Sequence, residues 1–139
     1  MRLAFLGATA LAAMTAEHLI AEGHKIVIIE RDGDRIAELS ERLDCAFLHG
    51  DGSKPDLIKE ADPANIDIFY CVTNHDQTNI IASLIGKNLG VPRVVTIIED
   101  EEFLPICEEL GLKDTILPVR TVSRHLAGLA KIQEEHPDE

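Results

Sequence analysis

Leu3-Ala4-Phe5-Leu6-Gly7-Ala8-Thr9-Ala10-Leu11-Ala12 opens the stretch that decides the fold, and Lys25-Ile26-Val27-Ile28-Ile29-Glu30 closes it. The first four residues are apolar without interruption and too few for a helix, which predicts a buried strand. Gly7 to Ala12 makes a tight turn into a helix of about eleven residues that runs to about Glu22. Gly23 stops that helix, and Lys25 to Glu30 is a second buried strand ending in an acid. A strand, a glycine turn, a helix and a parallel strand with a terminal carboxylate make up a dinucleotide-binding βαβ unit. In such a unit, turn N–H groups and the positive helix end hold phosphates, while the carboxylate accepts the adenosine ribose hydroxyls. The fingerprint asks for glycine at three positions, filled here by Gly7, Thr9 and Ala12. Gly7 suits the tight turn, and Ala12 still allows close helix–strand packing. Thr9 departs from the pattern, since a β-branched side chain obstructs the place where backbone approaches the pyrophosphate.

Outward from this unit, strands and helices alternate strictly. Arg31-Asp32-Gly33-Asp34 opens a helix to about Leu43, with Ile36, Ala37 and Leu39 toward the sheet; Cys45 to Leu48 is the third strand. Ser53 is placed as an N-cap with Pro55 just inside a short helix to about Ala61. Ile66 to Val72 is the fourth strand, and Asp76 to about Asn88 a helix with Ile80, Ile81, Leu84 and Ile85 inward. Arg93 to Ile98 is the fifth strand, Glu101 to Leu110 a helix with Phe103, Leu104, Ile106, Cys107 and Leu110 as its apolar set, and Thr115 to Leu117 the sixth strand. The expectation is a Rossmann-like α/β domain over residues 1–118, a doubly wound parallel sheet ordered 3-2-1-4-5-6. A closing helix follows over 119–135, then a polar tail, 136–139. Val119, Val122, Leu126, Leu129 and Ile132 form one stripe on that helix. It either lies back on the same sheet or covers a neighbouring subunit.

Composition excludes several classes of function. Acidic residues number 25 against 13 basic, a net charge of −12, which argues against nucleic acid and against an anionic membrane surface. Only 4% of residues are aromatic, too few for a base-stacking platform. No run nears the roughly eighteen apolar residues of a membrane span, and the N-terminus fits a strand better than a signal peptide, so a cytoplasmic protein without direct membrane insertion is expected. Cys45, Cys71 and Cys107 lack metal-type spacing and read as core packing. No metal is expected.

Ligands of this fold sit above the carboxyl ends of the strands, where the order reverses. Those ends carry the Gly7 turn, Glu30 and Arg31, Gly50 and Asp51, and Thr73 and Asn74. Asp51 is suited to an adenine amino group, with Gly50 leaving room for the base. Arg31 is suited to stack on adenine or reach a phosphate, and Thr73 and Asn74 to phosphate and second-ribose oxygens. Of the six histidines only His49 and His75 reach this rim, and neither has a Lys, Tyr or Ser partner at a diagnostic spacing. No catalytic residues are assigned; the alternative is a small NAD-dependent oxidoreductase or a cofactor-binding fragment of one.

Glu30-Arg31-Asp32-Gly33-Asp34-Arg35, the His49-Gly50-Asp51-Gly52 turn and Val72-Thr73-Asn74-His75-Asp76-Gln77-Thr78-Asn79 resemble the N-terminal domain of Trk-type potassium-transport regulators, also called RCK (KTN) domains. The resemblance covers nearly the whole chain, and Thr-Asn-x-Asp-x-x-Asn is its most specific piece. It implies a non-catalytic nucleotide sensor that assembles into dimers and rings beneath a potassium channel or transporter. That partner would hold it at the inner face of the cell membrane. It also implies a closing helix that crosses to a partner subunit through residues 119–132. Family ligands are NAD(H), ATP, ADP and AMP, and Glu30 disfavours a 2′-phosphate. The implied ligand-binding set is Gly7, Ala8, Thr9, Ala10, Leu11, Glu30, Arg31, Gly50, Asp51, Gly52, Thr73, Asn74, Asp76 and Asn79.

Overall fold

In a computed structural model that describes residues 1–137, each apolar run becomes a strand. β1 (Arg2–Leu6), β2 (Lys25–Glu30), β3 (Ala46–His49), β4 (Ile68–Cys71), β5 (Arg93–Ile97) and β6 (Asp114–Ile116) are all parallel. They lie side by side in the order β3-β2-β1-β4-β5-β6, so the expected topology holds. The order reverses between β1 and β4, where Leu6 stands opposite Cys71.

Alternation along the central strands explains why their sequences are unbroken apolar runs. Leu3, Phe5, Ile26 and Ile28 pack on one face against α1 (Ala10–Ala21) and α2 (Gly33–Ser40). Ala4, Leu6, Val27 and Ile29 pack on the other, against α3 (Pro55–Glu60) and α4 (Asp76–Asn88). With helices on both faces, the inner residues of β1 and β2 are buried on either side and no polar alternation survives. Ala12, Ala13 and Ala16 form the buried face of α1, and their small side chains let the helix sit close on β1. Phe5 and Tyr70 stack across the β1–β4 pair at 4.6 Å. A third cluster, Ile80, Ile98, Cys107 and Leu112, packs α4 against α5 (Leu104–Glu109) at the β6 edge.

Several local expectations are corrected. α2 ends at Ser40 rather than Leu43, and Ala37 faces outward. Ser53 caps nothing: the N-cap of α3 is Lys54, and Ser53 bonds Asp51 instead. A 3-10 turn at Pro63–Asn65 precedes β4, which is shorter than expected. Another at Glu101–Phe103 leads into α5, on which Ile106 and Leu110 are exposed. α4 has the expected bounds but not the expected face. Ile81 is exposed, while Asp76, Asn79 and Ser83 are buried. The apolar period picked Ile81 because it scores side-chain hydropathy, whereas this helix turns hydrogen-bonding groups inward.

The last helix, α6 (Pro118–Glu135), does not lie back on the sheet: none of its residues is buried. Val119, Val122, Leu126, Leu129 and Ile132 are each at least half exposed. The expected tail, 136–139, lies partly outside the described residues. Among those residues no helix is long and apolar enough to cross a membrane.

Candidate functional site

The site starts at Gly7, whose φ of +96° belongs to a region that side chains disfavour. Its N–H donates to Ile29 O at 2.8 Å, and Val72 N–H donates to Leu6 O at 2.8 Å, so the turn is held from both neighbouring strands. A Cβ here would sit 3.0 Å from the backbone of Val72 and Thr73. Glycine is therefore required twice over, by conformation and by the close approach of the β4–α4 loop.

Next, the Ala8 peptide group is clamped at both ends. Its N–H donates to Glu30 Oε1 at 2.7 Å, and its carbonyl accepts from Arg35 Nε at 2.8 Å. Glu30 Oε2 accepts from Asp32 N–H at 2.8 Å. The acid that closes β2 thus staples the β1–α1 turn to the start of α2. A carboxylate offers about four lone-pair directions, so two backbone bonds leave capacity for ribose hydroxyls. Arg35 stands in the stretch that carries the resemblance but has no individual role there, because the partner that gives it one is a backbone carbonyl 27 positions away.

Thr9 caps α1: its Oγ1 accepts from Ala12 N–H at 3.3 Å and donates to Val72 O at 2.9 Å. No protein acceptor meets the Ala10 and Leu11 N–H groups among the described residues, which leaves the positive end of a twelve-residue helix open at the rim. Gly50 and Asp51 face this rim from β3. The Asp51 carboxylate accepts from Ser53 N–H (2.9 Å) and Ser53 Oγ (2.7 Å), which hold its pKa below the usual carboxylate range. One oxygen, Oδ1, takes both bonds, and Oδ2 stays free. Gly50 serves a different neighbour from the one expected. The space its missing side chain leaves is filled by Leu57, whose Cδ2 a Cβ would meet at 2.8 Å. Gly52 packs on Leu6 in the same way.

These residues enclose two adjoining depressions at the switch point. One, of about 170 Å³, is lined by the Gly7 turn, Glu30, Arg31, Gly50, Asp51, Gly52, Thr73, Asn74, His75 and Thr78. The other, of about 520 Å³ and more apolar, is lined by Ala10, Leu11, Val72, Ile97, Glu99, Pro118 and Val119. Thr9, Thr73 and Asn74 line both. His75 stands at the rim, as its place in the sequence predicts, and Thr78 is an addition that follows from α4 starting there. His49, at the end of β3, is within 3.0 Å of Arg31 O through Nε2, and its ring packs over Gly33.

Three expected ligand residues, Ala8, Asp76 and Asn79, do not line the crevice. Asn79 is fully buried; its Oδ1 accepts from Thr73 N–H and Oγ1 at 2.9 and 2.6 Å, and its Nδ2 donates to Thr73 O and Ile97 O at 3.1 and 2.8 Å. Asp76 accepts from Glu99 and Asp100 N–H at 2.9 and 3.0 Å. The resemblance implies both as ligand residues, and both spend their polar groups on backbone instead. Ala8 is likewise buried behind the turn. The residues present suit an adenine nucleotide. Glu30 offers lone pairs for a ribose diol, α1 offers free N–H groups for a phosphate, and Asp51 Oδ2 offers an acceptor for an exocyclic amine. A metal finds no equivalent set, for no cluster of three or more His, Cys, Asp or Glu occurs among the described residues.

Sheet order, glycine turn and switch-point crevice together define a Rossmann-like doubly wound domain. The chain belongs to the TrkA-N domain family, whose model matches residues 3–118. A curated relative, the Trk system potassium uptake protein TrkA of Vibrio alginolyticus, is 33% identical over 120 residues, which cover 86% of this chain and 26% of the relative. The chain thus spans about a quarter of that relative's length. Among solved structures, the GsuK channel bound to NAD superposes with a TM-score of 0.80 at 14% identity, over 90% of this chain and 23% of that one. The Kef CTD of Shewanella denitrificans in its AMP-bound form gives 0.78 at 12% identity, over 95% and 82%. At such identities the structural likeness is one of fold.

Proposed function

We propose that this chain is a nucleotide-sensing regulatory domain of a potassium channel or transporter, binding the adenosine end shared by NAD(H), ATP, ADP and AMP. Residues 1–118 hold the ligand, and the helix over 119–135 carries the response by packing against a second copy. The observation that carries this reading is the rim of the first depression. There the Glu30 carboxylate and the free Asp51 Oδ2 face one space across the Gly7 turn, and the open α1 N-terminus borders the adjoining depression. Membership of the TrkA-N family and relatives of Trk potassium uptake support the physiological setting. Neighbours of the same fold carry NAD and AMP, which supports an adenine nucleotide. Thr9 stands between the two depressions, which favours a nucleotide seated mainly in the first.

Within this reading each residue acts by binding, not by chemistry. Glu30 accepts ribose hydroxyls and repels a 2′-phosphate, Arg31 covers the base, and Thr73 and Asn74 meet phosphate oxygens across the switch point. The module is non-catalytic and cytoplasmic, and a membrane potassium-transport protein holds it at the inner face of the membrane. A bound nucleotide regulates by favouring one packing of paired copies over another.

Calorimetric titration with NAD⁺, NADH, ATP, ADP and AMP tests this directly. Because Glu30 also staples the turn, a Glu30→Ala variant confounds ligand contact with loop order. Comparing AMP with 2′-deoxy-AMP on the unaltered protein isolates the ribose contact. Saturable AMP binding that the deoxy analogue weakens by about tenfold supports the site, a loss in keeping with leaving a charged acceptor unpaired. Equal affinity for both removes Glu30 from the ribose, and no binding at millimolar nucleotide defeats the reading.

A further inference from the structure

Asp76 and Asn79 belong to the sequence motif that best marks this family, yet neither lines the crevice. Both lie on the buried face of α4, within one turn of each other, and both reach out of the helix to backbone of other elements. Asn79 has every bonding direction filled: two by the Thr73 N–H and hydroxyl, one by Thr73 O, one by Ile97 O. It therefore locks the β4–α4 loop, which lines the crevice, to the end of β5. Asp76 takes the next step along the chain, accepting both the Glu99 and Asp100 N–H groups with one carboxylate. From that loop two connections lead to α6. Ile98 N–H donates to Ile116 O at 3.0 Å, two residues before α6, and Glu101 pairs with Arg120 on α6 at 3.5 Å.

We propose that Asp76 and Asn79 are positioning residues that couple the crevice to α6, so that occupancy at Thr73 and Asn74 is reported at the start of that helix. The coupling rests on the nucleotide reading above. A buried amide that ties the β4–α4 loop to the end of β5, and a buried carboxylate that ties α4 to the β5–α5 loop, leave neither loop free to shift without breaking a charge-assisted or fully satisfied hydrogen bond. Rigid, hydrogen-bonded elements of this kind carry coupling between sites. Ile98, fully buried beside Ile80 of α4, packs the start of the β5–α5 loop, while Glu99 and Asp100 are exposed and are held to α4 by their N–H bonds to Asp76.

Amide hydrogen exchange on the intact chain, with AMP as the probe, tests the coupling. Ile98, Asp100, Arg120 and Thr121 line neither depression, so protection at these four amides is not direct contact. AMP should slow exchange at Gly7–Ala12 and Thr73–Asn74 and, together with them, at Ile98, Asp100, Arg120 and Thr121, by about fivefold or more. Asp76→Asn puts an amide donor against one of the two N–H groups. This variant should keep AMP affinity and crevice protection and lose the remote protection. Remote protection that survives Asp76→Asn overturns the coupling, as does crevice protection without remote protection in the unaltered chain. That second comparison decides the matter even if the variant fails to fold. Absence of crevice protection at saturating AMP overturns the nucleotide reading, and the coupling with it.

Discussion

Gly7 joins backbone conformation to ligand access: a φ of +96° and backbone atoms 3.0 Å from a would-be Cβ leave no room for any other residue. Gly7→Ala should destabilise the fold by about 1–3 kcal/mol, read as a lower urea midpoint at unchanged slope. Arg35 governs the same turn through the Ala8 carbonyl. Arg35→Met keeps the aliphatic stem but frees that peptide to rotate. AMP affinity should then fall roughly fivefold, for about 1 kcal/mol of lost hydrogen bonding, while adenosine, which lacks the phosphate, binds as before. An equal loss for adenosine would assign Arg35 to the fold at large. Gly7 was legible in the sequence because its demand is local. Arg35 was not, since its demand comes from a chain segment folded beside it.

At the scale of elements, α4 and α6 both contradict a simple reading of apolar period, in opposite ways. α4 buries polar groups because partners wait for them: Ser83 Oγ meets Thr96 Oγ1 at 2.7 Å with both side chains fully buried. On the same face Gly86 lies against Phe69, whose Cδ2 a Cβ would meet at 2.6 Å. Helix propensity favours Gly86→Ala by about 1 kcal/mol, but overpacking against a buried ring costs about 1–3 kcal/mol, so the variant should lose stability. On α6, Gly128 has open space around it, and Gly128→Ala should instead gain up to about 1 kcal/mol. Opposite shifts in thermal midpoint for these two changes check the comparison. The α6 stripe is regular in sequence and unpartnered in the fold, as expected of a helix that covers a second copy. Leu126→Glu combined with Leu129→Glu should leave monomer stability within about 0.5 kcal/mol, since both side chains are exposed, and should convert an oligomer to monomers in light scattering. Dimers that persist would exclude this helix from the interface.

For the whole molecule, the order β3-β2-β1-β4-β5-β6 brings Glu30, Gly50 and Thr73 to one rim although they are spread over more than forty residues of chain. Thiols in the core beneath that rim make stability depend on alkaline pH. Burial pushes the Cys71 thiol up to about 12, and burial with the nearby Asp44 charge pushes Cys45 up to about 11. Unfolded thiols ionise near 9.0, so above that pH the unfolded chain releases protons that the folded chain retains. Stability from this source is complete below pH 9 and falls as pH rises toward the folded values. Urea midpoints measured from about pH 8 to about pH 11 should decline, and Cys71→Ala, though less stable throughout, should decline less steeply.

Residue pattern alone was enough to specify the strand–helix alternation, the sheet order and the glycine turn. Parallel strands covered on both faces must be unbroken apolar runs, and runs such as Lys25–Glu30 are visible without a partner. It also placed Glu30, Arg31, Asp51 and Thr73 on the rim, because strand ends in this topology fall on one side. How polar side chains are spent, by contrast, is settled only once distant segments of the chain have come together. Asp76 and Asn79 look like ligand contacts in sequence and act as clamps in the fold, since the amides and carbonyls they satisfy lie at Thr73, Ile97, Glu99 and Asp100. The position of α6 was equally out of reach. An amphipathic stripe specifies that something apolar must cover it, and whether the same sheet does so depends on where the chain leaves β6.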